Sequence, residues 1–252
     1  MIRFVGAGCG AADLITVRGQ RLLSEADVVI YAGSLVNPAL LDGVKEGAKI
    51  FNSAEMTLEE VLGVMFDAEE KGLMTVRLHT GDPCLYGAIR EQMDALDEKG
   101  IAYDYTPGVS SFCGAAAALG MEYTLPGVSQ SVVITRMAGR TPVPERESVR
   151  AFAAHRATMV LFLSTGLLEQ TQAELIAGGY EPETPAAIVY KASWPDEKTV
   201  LCTVGTLADA ARENGIRKTA LIIAGDAVSQ SGYARSELYN PSFATGFRPA
   251  KE

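Results

Sequence analysis

Residues 2–11 read IRFVGAGCGA, a short apolar run that leads directly into a glycine-rich turn. Further apolar runs alternate with helical patterns along the chain, and such alternation is typical of an α/β domain with a largely parallel sheet. The first half contains five predicted strands, at Ile2 to Gly6, Asp27 to Tyr31, Ala48 to Asn52, Met74 to His79 and Ala102 to Tyr105. Helices are predicted at Leu58 to Lys71, at Ala88 to Lys99 and after Ser110.

A segment rich in glycine and proline, residues 120–127, separates this half from a second alternation, so the predicted domains are residues 1–122 and 128–252. Further strands are predicted at Ser131 to Thr135, Met159 to Leu163, Ala186 to Tyr190, Thr199 to Val204 and Ala220 to Ala224. Further helices are predicted at Glu147 to His155, Leu167 to Ala177 and Leu207 to Asn214. The strands from Ala186 and Thr199 are joined without room for a helix, so we predict a hairpin and a mixed sheet. The tail after Ser229 is predicted to be irregular.

The composition limits the kind of protein. A net charge of −9 over 252 residues weighs against nucleic acid, which rewards clustered lysine and arginine. No apolar run reaches the roughly 18 residues that a membrane span needs, so no membrane association is predicted. Four scattered cysteines and two isolated histidines lack the clustered spacing of a metal site. Scattered thiols without a signal peptide predict a reducing compartment, the cytoplasm.

The turn from Gly6 literally matches G-x-G-x-x-A, the dinucleotide-binding fingerprint. A dinucleotide site also needs an acidic residue at the end of the second strand, where it holds a ribose hydroxyl. Here that strand ends at Tyr31, and Asp27 stands at its start. A nicotinamide-dependent reductase is thus disfavoured. The structural alternative for this motif is a tight glycine turn at the carboxyl end of a strand, without a role in binding.

Two more turns follow predicted strands, at residues 80–87 (TGDPCLYG) and 107–111 (PGVSS). As structural features, Asp82 and Ser110 are good N-cap residues, and Pro83 suits the first helical position. A cap would survive Asp82→Asn, so loss of ligand affinity at an unchanged melting temperature is expected if the charge serves a ligand. Capping does not explain the glycines that flank Asp82 in the first turn. Because open α/β sheets bind ligands at this edge, we predict a ligand site there.

Taken together, the turn after the first strand, residues 13–16 (DLIT) and the two later turns resemble the tetrapyrrole methylase family. This family includes uroporphyrinogen methyltransferase, the corrin-ring methyltransferases and diphthine synthase. The stretches at residues 31–36 (YAGSLV), 135–144 (TRMAGRTPVP) and 190–195 (YKASWP) are similar to the branch that methylates C-11 of precorrin-4. Cys9 stands where the family usually has proline, and it keeps a small residue at that position.

The resemblance implies a kinked pair of α/β domains with a mostly parallel first sheet, a mixed second sheet and an active site in the trough between them. It also implies a homodimer, S-adenosylmethionine as methyl donor, S-adenosylhomocysteine as product, a tetrapyrrole substrate and no metal. The cofactor contacts that it implies are Cys9, Thr80, Gly81, Asp82, Leu85, Ser110, Ser111, Leu163 and Ala192. Since the conjugated ring of the substrate supplies the nucleophilic carbon, no catalytic side chain is expected, and His79 is interpreted as the end of a buried strand.

Precorrin-4 carries many carboxylates, so a protein of net charge −9 needs local cations to hold it. Arg136, Arg140 and Lys191 are the predicted substrate contacts, since arginine can grip a carboxylate through two hydrogen bonds. The structural alternative is that the arginines pair with Glu145 and Glu147. Also open are methylation at another ring carbon, diphthine synthesis, a non-catalytic tetrapyrrole carrier, and whether the substrate contains cobalt.

Overall fold

The computed structural model describes residues 1–251, and the contacts between residues divide the chain into two units. The first unit comprises Met1–Ala115 together with Lys191–Glu197, and the second comprises the remaining described residues. Each unit is built on a five-stranded sheet. The domain bounds predicted from the sequence, 1–122 and 128–252, stay a prediction, and Glu252 lies outside the described residues.

Five parallel strands form the sheet of the first unit. They are β1 Ile2–Gly6, β2 Val28–Tyr31, β3 Lys49–Asn52, β4 Thr75–His79 and β5 Tyr103–Thr106. Their order is β3-β2-β4-β1-β5, so β4 is central and β1 lies between β4 and β5. Every residue of β4 is buried, as expected for a parallel strand that is covered on both faces. The predicted strands and their parallel arrangement are confirmed.

The helices of the first half of the chain are α1 Val17–Glu25, α2 Leu58–Glu70, α3 Arg90–Glu98 and α4 Ser111–Leu119, and the bound between the two units falls within α4. The predictions of α2, α3 and α4 are confirmed, but α1 is missing from the sequence predictions. Its signals are local, because Thr16 accepts a hydrogen bond from Gly19 N (3.1 Å) as an N-cap, and Leu22 and Leu23 are buried. A capping motif before an amphipathic run would therefore have revealed it.

The sheet of the first unit has an apolar core on each face. Val5 and Leu78 belong to one buried cluster, and Phe4 packs with Met65 of α2 in another. The alternation of Phe4 and Val5 between the two clusters follows from the period of two along a strand. Because both faces of the sheet are covered, a ligand can reach it at the carboxyl ends of the strands and at the loops that follow them.

The sheet of the second unit is mixed. Its strands are β6 Val132–Arg136, β7 Thr158–Phe162, β8 Pro185–Tyr190, β9 Lys198–Thr203 and β10 Ala220–Ala224, in the order β6-β7-β10-β8-β9. Only the β6–β7 pair is parallel among these neighbours, and β8 with β9 forms the predicted antiparallel hairpin. The helices are α5 Val149–Ala153, α6 Leu168–Gly178 and α7 Leu207–Glu213. The predicted mixed sheet and these helices are confirmed.

The tail after Ser229 has a single short helical turn, Glu237–Tyr239, within its described residues. Arg248 organises the tail, since Nη2 donates to the carbonyl oxygens of Leu238 (3.1 Å) and Asn240 (2.8 Å). The tail is thus irregular, as predicted, and is held by backbone carbonyls. Over residues 1–251, the structure contains no helix with the length and apolar character that crossing a membrane requires.

Candidate active site

The strand order brings the three glycine-containing turns to one edge of the first sheet. They follow β1, β4 and β5, which are neighbours in the order β4-β1-β5, and parallel strands end on the same side. Gly8 N donates to Gly81 O (3.2 Å) and Gly81 N donates to Gly8 O (2.9 Å), which joins the first two turns. Gly81 has a φ of +59°, a left-handed conformation that favours glycine. The predicted gathering of the turns is confirmed.

The turns approach each other so closely that side chains are excluded. A Cβ at Gly6 would lie 2.6 Å from backbone atoms of Gly108 and from Gly81 O. A Cβ at Gly108 would lie 2.2 Å from Gly81 O. Three stretches of bare backbone therefore pack together at the carboxyl ends of β1, β4 and β5. This arrangement leaves polar backbone atoms near the position where a ligand would bind.

Asp82 ties two of these turns together. One carboxylate oxygen, Oδ1, accepts hydrogen bonds from Cys84 N (2.8 Å) and from the hydroxyl of Tyr105, and Oδ2 accepts from Gly108 N (2.9 Å). Burial would raise the pKa of Asp82, but these hydrogen bonds outweigh burial and lower it. Asp82 is therefore an anionic bridge between the turn after β4 and the turn after β5.

The helix-cap interpretation of Asp82 is wrong. Residues 83–86 form a turn, and α3 begins only at Arg90. The hydrogen bond from Cys84 N to the Asp82 carboxylate, two residues earlier in the chain, forms an Asx-turn, which mimics a backbone turn. The bond to Gly108, 26 residues away, is the contact that the local sequence does not reveal. Tyr105 completes the bridge, because burial, followed by the adjacent Asp82 carboxylate, raises the pKa of its hydroxyl and keeps it protonated.

The segment Lys191–Glu197 belongs to the first unit and meets the turn after β1. Ser193 Oγ accepts a hydrogen bond from Ala11 N (2.9 Å) and lies 3.4 Å from Cys9 Sγ. Ala192 is 5% exposed, and its carbonyl oxygen would lie 2.5 Å from a Cβ at Gly10. Cys9 and Ala192, which are 183 positions apart in the sequence, thus lie in one cluster.

Lys191 is engaged within its own segment. Its Nζ donates to Asp196 Oδ2 (2.6 Å) and lies 5.3 Å from the centroid of the Trp194 ring. Lys191 and Ser193 have φ values of +48° and +64°, which are strained for residues with a side chain. Such strain often marks functional segments. The substrate role of Lys191 stays a prediction, and its ammonium would have to leave Asp196 or share it.

The other predicted cofactor residues differ in their surroundings. Thr80 directly follows β4, and its Oγ1 is buried with no hydrogen-bond partner in the described chain, so it can still bond a ligand. Ser110 is buried, Ser111 begins α4 and Leu85 is half-buried. Leu163 belongs to the second unit, where it follows β7 with a φ of +52° and is 66% exposed. An exposed leucine in a strained conformation calls for a functional explanation.

The two predicted substrate arginines have different environments. Arg136 ends β6, and its guanidinium donates to the carbonyl oxygens of Thr141 (3.3 Å) and Pro142 (2.8 Å), so it shapes its own loop. Arg140 is exposed and makes no hydrogen bond or ion pair within residues 1–251. Glu147 pairs with Arg146 (3.5 Å). The alternative that Arg136 and Arg140 pair with the downstream glutamates is therefore wrong.

His79 is not suited to general-base catalysis. It is 4% exposed at the end of β4, and burial, together with the charge of Arg77, lowers its pKa to about 3. Its ring stacks on Phe4 with centroids 6.3 Å apart. A base of such low pKa accepts a proton poorly at neutral pH. The interpretation of His79 as a buried strand end is consistent with this geometry.

The part of the chain that the structure describes contains no cluster of metal-ligating side chains. No three His, Cys, Asp or Glu side chains come together there in an arrangement that could hold a metal ion. What the edge of the first sheet offers instead is bare backbone, the Thr80 hydroxyl and an anionic bridge. These features suit a neutral or cationic organic ligand with hydrogen-bonding groups.

The profile of the tetrapyrrole (corrin/porphyrin) methylases matches residues 1–208 of this chain. The chain belongs to this family and is a methyltransferase. A cobalt-precorrin-4 C(11)-methyltransferase from Methanocaldococcus jannaschii is 51% identical to it over 97% of this chain and 94% of that protein. A precorrin-4 C(11)-methyltransferase from a Sinorhizobium species is 45% identical over 98% of each chain.

Solved structures agree with this assignment. The X-ray structure of a cobalt precorrin-4 methyltransferase, a cobalamin biosynthetic enzyme, has a TM-score of 0.88 and 50% identity, covering 90% of this chain and 95% of that chain. A uroporphyrin-III C-methyltransferase from Thermus thermophilus, in complex with S-adenyl homocysteine, has a TM-score of 0.77 and 27% identity, covering 91% and 99%. The resemblance predicted from the glycine turns is confirmed.

Proposed function

We propose that this chain transfers a methyl group from S-adenosylmethionine to C-11 of precorrin-4, or of its cobalt complex, in cobalamin biosynthesis, giving precorrin-5. The observation that carries the proposal is 51% identity over 97% of the chain with a C(11)-methyltransferase. Identity with the uroporphyrin-III methyltransferase of known structure is 27%. The likeness to diphthine synthase, at 18% identity, supports the shared fold alone.

The methyl donor is proposed to bind at the edge of the first sheet. Its contacts would be Cys9, Thr80, Gly81, Asp82, Leu85, Ser110, Ser111, Leu163 and Ala192. The unpartnered hydroxyl of Thr80 supports this set, since a bound ligand would satisfy it. The close approach of Gly6, Gly81 and Gly108 supports it too, because bare backbone lets carbonyl and amide groups reach a ligand. The fixed Asp82 bridge gives these groups a rigid support.

The chemistry asks for alignment more than for reactive side chains. S-adenosylmethionine, when bound, supplies an electrophilic methyl group on a sulfonium, and the thioether that remains, S-adenosylhomocysteine, is a good leaving group. Holding the two reacting atoms close and in line contributes several kcal/mol to such a displacement. The residues of this chain would bind, orient and exclude water, and we assign no side chain as a nucleophile. The low pKa of His79, about 3, supports leaving it out of the reaction.

Substrate recognition is proposed to rest on local cations, because the net charge of −9 opposes long-range attraction of a polycarboxylate. Arg140 is the strongest candidate, since its guanidinium is exposed and has no partner among the described residues. Arg136 would act by shaping the loop that presents Arg140, because its own donors bind the carbonyls of that loop. Lys191 is proposed as a third contact.

Methylation of isolated precorrin-4 is the direct test. Metal-stripped protein is incubated with methyl-labelled S-adenosylmethionine and with either metal-free or cobalt-loaded precorrin-4, and the product is analysed by mass spectrometry and NMR. We expect one labelled methyl group on C-11, and the faster of the two substrates identifies the natural one. A label on another ring carbon, or none, would overturn the proposal. The comparison of two substrates is needed because relatives of both kinds resemble this chain.

Two further proposals concern the state of the enzyme. We propose a homodimer, which sedimentation at micromolar concentration would contradict by showing only a 26.7 kDa species. We also propose a cytoplasmic location, which the free thiols Cys9, Cys84, Cys113 and Cys202 support because disulfides are rare in that compartment. Fractionation of cells followed by detection of the protein would test the location.

A further inference from the structure

Arg77 places a guanidinium in the interior of the first unit. It lies in the middle of β4 and is 6% exposed, and burial lowers its pKa to about 10, so it remains charged near neutral pH. Arginine is almost never buried to this extent unless it is paired. Within residues 1–251, no carboxylate lies at hydrogen-bonding or ion-pair distance from this guanidinium. The proposed methyl transfer also gives it no role.

The hydrogen-bond partners of Arg77 are neutral. Nε donates to Gln92 Oε1 (3.1 Å), and Nη1 donates to the carbonyl oxygen of Ile30 (3.2 Å) near the end of β2. Gln92 belongs to α3 and is 4% exposed, and its Nε2 donates to Ala88 O (2.9 Å). Arginine only donates, so it fixes the carboxamide of Gln92 with its oxygen toward Arg77 and its amide toward Ala88. We name this chain of bonds from Arg77 through Gln92 to Ala88 the Arg77 relay.

The loop that receives the relay, residues 80–88, is strained. Tyr86 and Ala88 have φ values of +57° and +49°, a conformation that costs free energy for residues with a Cβ. A Cβ at Gly87, between them, would lie 2.2 Å from Pro83 O, so the turn is also tightly closed. Asp82 anchors the start of the loop through its bridge. The Arg77 relay is the anchor at its end.

We propose that Arg77, acting through Gln92, is a positioning residue that holds loop 80–88 in the conformation that binds the methyl donor. The inference rests on the proposed function, because Thr80, Gly81 and Leu85 of this loop are proposed cofactor contacts. An apolar side chain at position 77 could fill the same volume, but without a donor it could not fix the orientation of the Gln92 carboxamide. The buried N–H donors of Arg77 are therefore explained by the direction of the relay.

The decisive variant is Gln92→Glu, because it separates the two halves of the relay. Glutamate still accepts from Arg77, now as an ion pair, but an ionised carboxylate cannot donate to Ala88 O. We expect a melting temperature close to wild type, amide hydrogen exchange in loop 80–88 roughly tenfold faster, and a dissociation constant for S-adenosylhomocysteine roughly tenfold higher. Gln172→Glu is the matched control, since this helical glutamine of the second unit only accepts, from Ala208 N (3.2 Å).

A second variant, Gln92→Met, removes both bonds and keeps the proposal testable if the glutamate variant folds poorly. It should speed exchange in loop 80–88 by a similar factor, and combining it with Arg77→Met should add little to the loss of affinity. Unchanged exchange in the loop, or an equal rise throughout β1 and β5, would overturn the positioning role. Failure of the wild-type protein to bind S-adenosylhomocysteine would instead refute the proposed function, and the exchange data would still decide the relay.

Discussion

Replacing Asp82 with asparagine should destabilise the protein, contrary to the expectation from helix capping. Both carboxylate oxygens of Asp82 accept hydrogen bonds, from Cys84 N (2.8 Å) and Tyr105 on one side and from Gly108 N (2.9 Å) on the other. Asparagine has only one acceptor oxygen. If this oxygen stays toward Cys84, the side-chain amide of asparagine faces Gly108 N, and two donors oppose each other.

The expected loss follows from the bond to Gly108. Removing an acceptor from a partly buried amide costs about 1–3 kcal/mol, and partial exposure of Asp82 places the expected loss of unfolding free energy near 2 kcal/mol. For a chain of this size, this corresponds to roughly 4–8 °C in melting temperature. Affinity for S-adenosylhomocysteine should fall as well, because the turns after β4 and β5 lose their link.

The pH dependence gives an independent check. The pKa of Asp82 is lowered in the folded protein, so its contribution to stability is present above the unfolded value of about 3.9. It is lost as the pH falls below this value through the folded pKa. The difference in unfolding free energy between wild type and Asp82→Asn should therefore be constant from pH 7 to about pH 5 and shrink below about pH 4.

Urea denaturation at several pH values measures both effects. Asp42→Asn is the control, since Asp42 is an exposed carboxylate with no hydrogen bond to any residue that the structure describes. An Asp82→Asn protein with the unfolding free energy of wild type at pH 7 would refute the bridge. That result would support the expectation from the sequence, in which the charge of Asp82 affects ligand affinity and leaves stability unchanged.

Three further predictions concern the substrate, the glycine turns and metal. Arg140→Ala should raise the KM for precorrin-4 roughly tenfold or more, at unchanged affinity for S-adenosylhomocysteine, and Arg140→Lys should recover part of the loss. Arg146→Ala is the control. Equal KM values for Arg140→Ala and Arg146→Ala would contradict the role of Arg140 in binding the substrate. Gly108→Ala should lower the unfolding free energy by about 1–3 kcal/mol or more, because its Cβ would lie 2.2 Å from Gly81 O. Gly63→Ala, at a helical position with nothing within 4 Å, is the control and should raise it by about 1 kcal/mol. A Gly108→Ala protein that is as stable as wild type in denaturant titrations would refute the close packing. Exhaustive chelation should leave calorimetric binding of S-adenosylhomocysteine unchanged, and a loss restored by one divalent metal would show a metal requirement that the sequence does not predict.

The sequence alone was sufficient for the family and for most of the elements. Strands such as Ala220–Ala224 were predictable because burial on both faces leaves a continuous apolar run bounded by turn residues. The hairpin of β8 and β9 was predictable because the connection is too short for a crossover helix. Even the missed helix α1 carried a readable signal in its N-cap at Thr16. All of these signals lie within a few residues of the element that they specify.

Only the tertiary structure decided the roles of the polar side chains at the site. Asp82 looked like a cap, yet one of its bonds reaches Gly108, and Ser193 meets Ala11 N across 182 positions. Arg77 looked like one residue of an apolar strand, and its relay depends on how α3 packs against the sheet. Local pattern determines where a strand or turn forms, because its energetics are short-range along the chain. Hydrogen-bond partners depend on which distant segments are packed side by side, and that information is absent from the neighbouring residues.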